Sequence, residues 1–137
     1  MSSFDEKDEL LLRQVHPSFI QDGRVTSQAF RPTPKDQKKL SVNRNSLISA
    51  QVIFEVHTKK KKLSSAGVWG VSVQEAKETP GLSLKEDPIE GPIEDLSHCL
   101  IDFSNIDSEG RIKTIASKLA DKARSRGCLF EPLKEKT

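Results

Sequence analysis

The strongest constraint in this chain is a periodicity near its C-terminus. Ile112, Ile115, Ala116, Leu119, Ala120 and Ala123 recur at i, i+3, i+4, i+7, i+8 and i+11. A helix brings those spacings onto one face, and an apolar stripe of that length has to be covered. Gly127 follows where a left-handed C-terminal cap belongs. Two upstream runs can supply the cover. Ala66-Gly67-Val68-Trp69-Gly70-Val71-Ser72-Val73 reads as a strand, since Val and Trp suit a pleated surface. Its two glycines signal a bulge or a close backbone approach. His98-Cys99-Leu100-Ile101-Asp102-Phe103 reads as a second strand. A chain of 137 residues with 34% hydrophobic residues can fill one small core. The expected fold is α+β: a small mixed or antiparallel sheet packed by the amphipathic C-terminal helix. Val68–Val73 and Cys99–Phe103 are expected as inner strands beneath Ile112, Ile115, Leu119 and Ala123.

The remaining segments arrange themselves around that unit. Residues 1–9 read as a flexible acidic tail, residues 10–132 as a single domain and residues 133–137 as a frayed end. Leu10–Val15 is an apolar run that Pro17 stops. Gln21-Asp22-Gly23-Arg24 carries a turn signal. The run from Arg31 to Asp36, with prolines at 32 and 34, reads as an extended loop. Leu40-Ser41-Val42 resumes as a short strand. The segment 47–58 alternates like a strand at Val52, Phe54 and Val56, yet Ser46 and Ser49 are good helix caps and Lys59–Lys62 suit a helix end. The balance favours a helix there. Gln74–Glu78 reads as a short helix ended by Pro80-Gly81, and Leu82–Leu84 as an edge strand. Residues 87–95 repeat Pro-Ile-Glu at 88–90 and 92–94 in an acidic loop.

The net charge of +2 conceals a segregation by block. Residues 24–62 carry +8 and residues 111–137 carry +5, against −7 over 81–110 and −3 over 1–23. Such blocks either satisfy each other on folding or present separate surfaces. Internal compensation is the reading adopted here. The basic residues of the final helix border its apolar stripe, where their stems would cover apolar surface.

Known motifs exclude several chemistries. The phosphate-cradling spacings Gly-x-x-x-x-Gly-Lys-Ser/Thr and Gly-x-Gly-x-x-Gly do not occur. Neither do His-Glu-x-x-His and Cys-x-x-Cys, so no metal or cofactor is expected. Two cysteines, Cys99 and Cys128, do not make a disulfide framework. The N-terminus lacks a secretory signal pattern, and the longest uncharged run is too short and polar to span a bilayer. A cytoplasmic protein without a membrane partner is expected. Trp69 and Cys99 read as core.

The candidate site lies in the N-terminal third. Arg13 and His16 close the first apolar run, Ser27, Phe30 and Arg31 precede the proline loop, and Ser41 and Arg44 flank the next strand. If the runs 10–15 and 40–42 pair, these residues line one pocket. Arg13, Arg31 and Arg44 would offer planar donors to a phosphate or carboxylate. His16 would be a general acid or base, with His57 or His98 as a second.

The order of an apolar strand with Arg13, then Ser27-Gln28-Ala29-Phe30, then Leu40-Ser41 on a second strand resembles the first half of ADP-ribosyltransferase-like folds. It does so over about a quarter of the chain. That resemblance implies a nicotinamide dinucleotide contacted by an Arg or His and a Ser. It puts forward Arg13, His16, Ser27 and Arg31.

Three functions follow. The first is a small binding or accessory protein engaging a protein partner or an anionic, phosphate-bearing ligand. The second is a small enzyme acting on RNA or a nucleotide through His16, Arg13 and Ser27. The third is a non-enzymatic nucleic-acid binder using residues 24–62 and the last helix.

Overall fold

The computed structural model describes residue 4, residues 6–32 and residues 37–132. Its elements are β1 (Leu10–Val15), β2 (Ile20–Gln21), β3 (Arg24–Val25), β4 (Lys39–Arg44), α1 (Ala50–Glu55), β5 (Gly67–Ser72), α2 (Val73–Lys77), β6 (Ser83–Glu86), β7 (His98–Asp102) and α3 (Glu109–Arg126). Five strands form an antiparallel sheet in the order β5-β1-β4-β7-β6, and β2-β3 is a separate two-stranded ribbon. This is the expected α+β arrangement.

Alternation along the strands separates two faces. Leu11, Val15, Val42, Val71 and Ile101 point to one side and are buried there with Ile112, Ile115 and Leu119 of α3. Phe30, Phe103 and Ile106 fill the space between. On the other side Leu12 and Val68 meet Ile53 of α1 in a smaller cluster. Each fully buried aliphatic side chain contributes about 1.5–3 kcal/mol, so the α3 face carries most of the stability.

The helices start where side chains can take up free N–H groups. Ser49 accepts from the Val52 backbone N–H at 3.1 Å, and α1 continues as a wider π turn over Val56–Lys60. The segment 47–58 is therefore helical over most of its length. Ser72 and Glu75 form a reciprocal capping box, with the Glu75 N–H donating to Ser72 and the Ser72 N–H to Glu75. Ser108 caps α3, and Gly127 ends it at a φ of 93°.

Two expectations are corrected. β5 is not an inner strand: it is the last strand on its side of the sheet. It is buried all the same, because the C-terminal segment folds back along it. The Val68 N–H donates to the Phe130 carbonyl at 2.8 Å, and the Leu129 N–H to the Val68 carbonyl at 2.8 Å. This approach explains Gly67: a Cβ there would stand 2.7 Å from the Phe130 oxygen, at a φ of 149°. The second correction concerns the acidic tail. Phe4 is buried, and the Gln74 N–H donates to the Lys7 carbonyl at 3.0 Å. Glu9 is bound by Arg44. Residue 4 and residues 6–9 are thus docked rather than free, because β4 and α2 supply partners for them. The expected frayed end at 133–137 and most of the proline loop, residues 33–36, lie outside the described residues.

Candidate functional site

The β2-β3 ribbon stands among several concave regions of the surface. Asp22 and Gly23 have φ values of 53° and 78°, the left-handed pair that a tight two-residue hairpin turn requires. The ribbon is tied down at its base. Thr26 donates from both its hydroxyl and its N–H to the Phe19 carbonyl, at 2.8 and 2.9 Å. Arg124 of α3 donates to the Val25 carbonyl at 2.8 Å.

Hollows lie around this ribbon. The one between the ribbon, β5 and the end of α3 encloses about 610 Å³. Ile20, Val25, Ala66 and Trp69 give it an apolar lining, and Arg24, Arg124 and Ser125 give it polar walls. Trp69 is core in that only 8% of it is exposed, but what it exposes lines this recess. Arg24 is exposed and has no ion-pair partner among the described residues. Arg124 is paired with Asp121. Cys128 also lines the recess, but burial pushes its thiol pKa up, against the hydrogen bonds it makes to Phe130 and Val68. A neighbouring hollow shares Arg24 and Arg124 with the first. This set of groups offers donors and an apolar floor, the usual composition of a small-ligand site.

The residues singled out in the sequence are distributed as follows. Arg13 donates to the carbonyls of Ala29 at 2.7 Å and Ser41 at 2.9 Å. It does so where β1 and β4 part, since their ladder pairs only Leu11 with Arg44 and Leu12 with Asn43. The expected pairing of these strands is therefore present but short, and Arg13 bridges the opening. The Nδ1 of His16 accepts from the Ser18 N–H at 3.0 Å, which caps the helical turn Pro17–Phe19. Ser18 and Ser27 line one hollow on the far flank of the ribbon. Arg31 is half-buried just past the helical turn Ser27–Phe30.

Arg44 is engaged elsewhere. It is buried against the Phe4 ring, binds Glu9 through Nε at 3.0 Å and Glu86 through a second nitrogen at 2.9 Å. Burial works against the charge of Glu9, but the hydrogen bonds from Arg44 and Ser46 outweigh it and hold the carboxyl below its ordinary range. The structure thus gathers Arg13, Ser27 and the Ser41 backbone around one helical turn, and gives Arg44 a different set of partners.

The other two histidines differ in their surroundings. His57 is half-buried, and its pKa is lowered by that burial and by the charges of Lys61 and Arg13. His98 contacts the Asp87 carboxylate at 3.1 Å. Arg24, Trp69 and Arg124 were not identified as a group from sequence. The Asp22-Gly23 turn was the available signal, because it displays the residue that follows it.

A second concavity of about 460 Å³ separates α2 from α3. Arg111, Lys118 and Lys122 face it with no ion pair among the described residues, over Ile115 and Leu119. Across from them, Glu75 is held by Arg126 at 3.0 Å. Among the described residues no cluster of His, Cys, Asp or Glu is placed to hold a metal ion, and no helix is long and apolar enough to cross a membrane.

Comparison of the chain with protein-family models, with curated proteins and with solved structures gives no match in any of the three.

Proposed function

We propose that this chain is a binding protein for a small phosphate-bearing ligand, held in the recess beside the β2-β3 ribbon. The observation that carries the reading is Arg24, an exposed guanidinium with no ion pair among the described residues, standing with Arg124 over a floor that includes Trp69. The exposed Arg24 guanidinium is a planar donor matched to phosphate oxygens, and Arg124, held by Asp121 and the Val25 carbonyl, adds positive charge beside it. The apolar floor would take the body of the ligand. A cytoplasmic setting goes with this reading, since both cysteines are free thiols.

The enzyme reading through Arg13, His16, Ser27 and Arg31 is less well supported. Arg13 commits donors to the carbonyls of Ala29 and Ser41, and His16 caps a turn. A broad nucleic-acid surface is likewise less favoured, since Arg44, Lys61 and Arg126 each face an internal carboxylate.

Trp69 is the only tryptophan and the chain has no tyrosine, so intrinsic fluorescence reports directly on the recess. Titration with inorganic phosphate, pyrophosphate and a nucleoside monophosphate should give a saturable change for at least one of them. The expected Kd is below about 1 mM, equivalent to about 4 kcal/mol. Arg24→Ala should weaken that binding at least about tenfold while leaving the circular dichroism unchanged. Absence of a saturable change with all three probes overturns the proposal.

A further inference from the structure

The described surface exposes four large apolar side chains: Leu47, Val52, Leu63 and Leu96. Leu47 and Leu96 line a groove of about 350 Å³, with Ile48, Ile53 and Val56 beside them. Val52, also exposed, lies on α1 one helical turn before Val56. Soluble surfaces carry single exposed leucines without consequence, but a gathered set marks an interaction site.

The groove is built to keep its shape. One wall is α1 and its π continuation. The other is the segment Glu94–Ser97, which is pinned at both ends. Ile89 and Asp95 exchange backbone hydrogen bonds at 2.9 and 2.8 Å. The Asp95 carboxylate is buried and accepts from Asn43 at 2.8 and 2.9 Å and from Ser97 at 2.9 Å. Lys61 reaches Asp95 at 3.8 Å, joining the two walls.

The charges around the groove are of both signs. The helical wall runs on into Lys59, Lys60 and Lys62, and the opposite wall carries Glu94, with Glu90 next to the Ile89–Asp95 bridge that pins it. All five are exposed, and none makes an ion pair among the described residues; their neighbour Lys61 is the one held by Asp95.

We propose that this face binds a second copy of the chain across a two-fold axis. In a two-fold interface residue i meets residue j and j meets i. A patch with an apolar centre, a basic wall and an acidic wall is complementary to itself in that arrangement. Each copy's lysines face the other's glutamates, and Leu47 and Leu96 of both copies meet in the middle. An unrelated partner would have to supply both charge signs in the same order. A second copy supplies them by construction. The groove shares no residue with the recess beside the ribbon, so this inference does not depend on ligand binding.

Sedimentation velocity on the full chain, over about 1–500 µM, tests it in the range of ordinary micromolar association. A monomer–dimer equilibrium is expected. Leu47→Asp, a change at an exposed site, should raise the dimer dissociation constant at least about tenfold with an unchanged thermal midpoint. Two charge-reversed proteins make the decisive comparison. One carries Lys59→Glu with Lys60→Glu, and the other Glu90→Lys with Glu94→Lys. Each alone should be monomeric, and an equimolar mixture should dimerise, because only the mixed pair restores both sets of contacts. A chain that stays monomeric throughout overturns the proposal. So does a dimer indifferent to Leu47→Asp, or a mixture no better associated than its components.

Discussion

Leu119→Ala probes the packing that joins α3 to the sheet. Leu119 is 2% exposed, and its buried neighbours along the helix face are Ile115, Ala116, Ala120 and Ala123. Three of these four are alanines, so little nearby helix side chain can move into the volume that Leu119 fills. Removing three carbons loses about 2.4 kcal/mol of transfer free energy at ~0.8 kcal/mol each. A fully preserved void of ~50 Å³ would add about 1.2 kcal/mol. Leu119 also borders the groove between α2 and α3, through which water can fill part of that void. The expected loss is therefore about 3 kcal/mol rather than the upper end of the usual range. Urea unfolding followed by Trp69 fluorescence measures it, since Trp69 is the sole tryptophan. With an m-value of roughly 1.5 kcal/mol/M the midpoint should fall by about 2 M at constant slope. Lys118→Ala, one residue away and exposed, should stay within about 0.5 kcal/mol. A midpoint shift for Leu119→Ala no larger than that of Lys118→Ala would refute the placement of α3.

Glu9→Gln should destabilise by ~2 kcal/mol near neutral pH, less than the full loss of a buried pair because Arg44 keeps Glu86. The Glu9 pKa is lowered in the fold, so its contribution is present above the ordinary value of 4.5 and disappears as pH falls through the lower folded value. The difference between Glu9→Gln and the parent chain should shrink below that pH, and a difference that does not change with pH would refute the pairing. Burial pushes the Cys99 thiol up to about 12, while Cys128 is exposed. A thiol reagent at pH 8 should label one cysteine in the native protein and two after unfolding; prompt labelling of both in the native state would contradict the sheet.

The helix α3 was legible because its period of 3.6 is a property of one segment. The burial of β5 was legible for the same reason, from Val, Trp and Gly in a short run. Its position in the ladder was not, because the residues that seal its edge, Leu129 and Phe130, arrive from the far end of the chain. A hydrophobic pattern reports which face is covered and carries no information about lateral neighbours. The partners of the candidate arginines were not legible for a similar reason. Arg44 ends β4 and Arg13 sits where β1 and β4 part, places where either a ligand or the protein's own acceptors can take the guanidinium. Which one does so depends on Glu9 being carried to Arg44 by β1, and on β1 and β4 parting at Arg13 to expose the Ser41 carbonyl.

The charge blocks resolve along the same line. Glu9 with Arg44, Arg44 with Glu86, Lys61 with Asp95 and Arg126 with Glu75 each join two blocks of opposite sign. Internal compensation therefore accounts for the charges nearest the sheet, where desolvation makes an unpaired charge costly. It does not extend to Arg24 on the ribbon, nor to Lys59, Lys60, Glu90 and Glu94 around the apolar groove. Charges that pair internally are unavailable to a ligand. Arg24 and those four lie beside two concave surfaces, one with a tryptophan in its floor and one lined by exposed leucines. A chain with a net charge of only +2 can therefore still hold a phosphate at one place and a copy of itself at another, because its near-neutrality is a sum over the molecule and recognition depends on the local remainder.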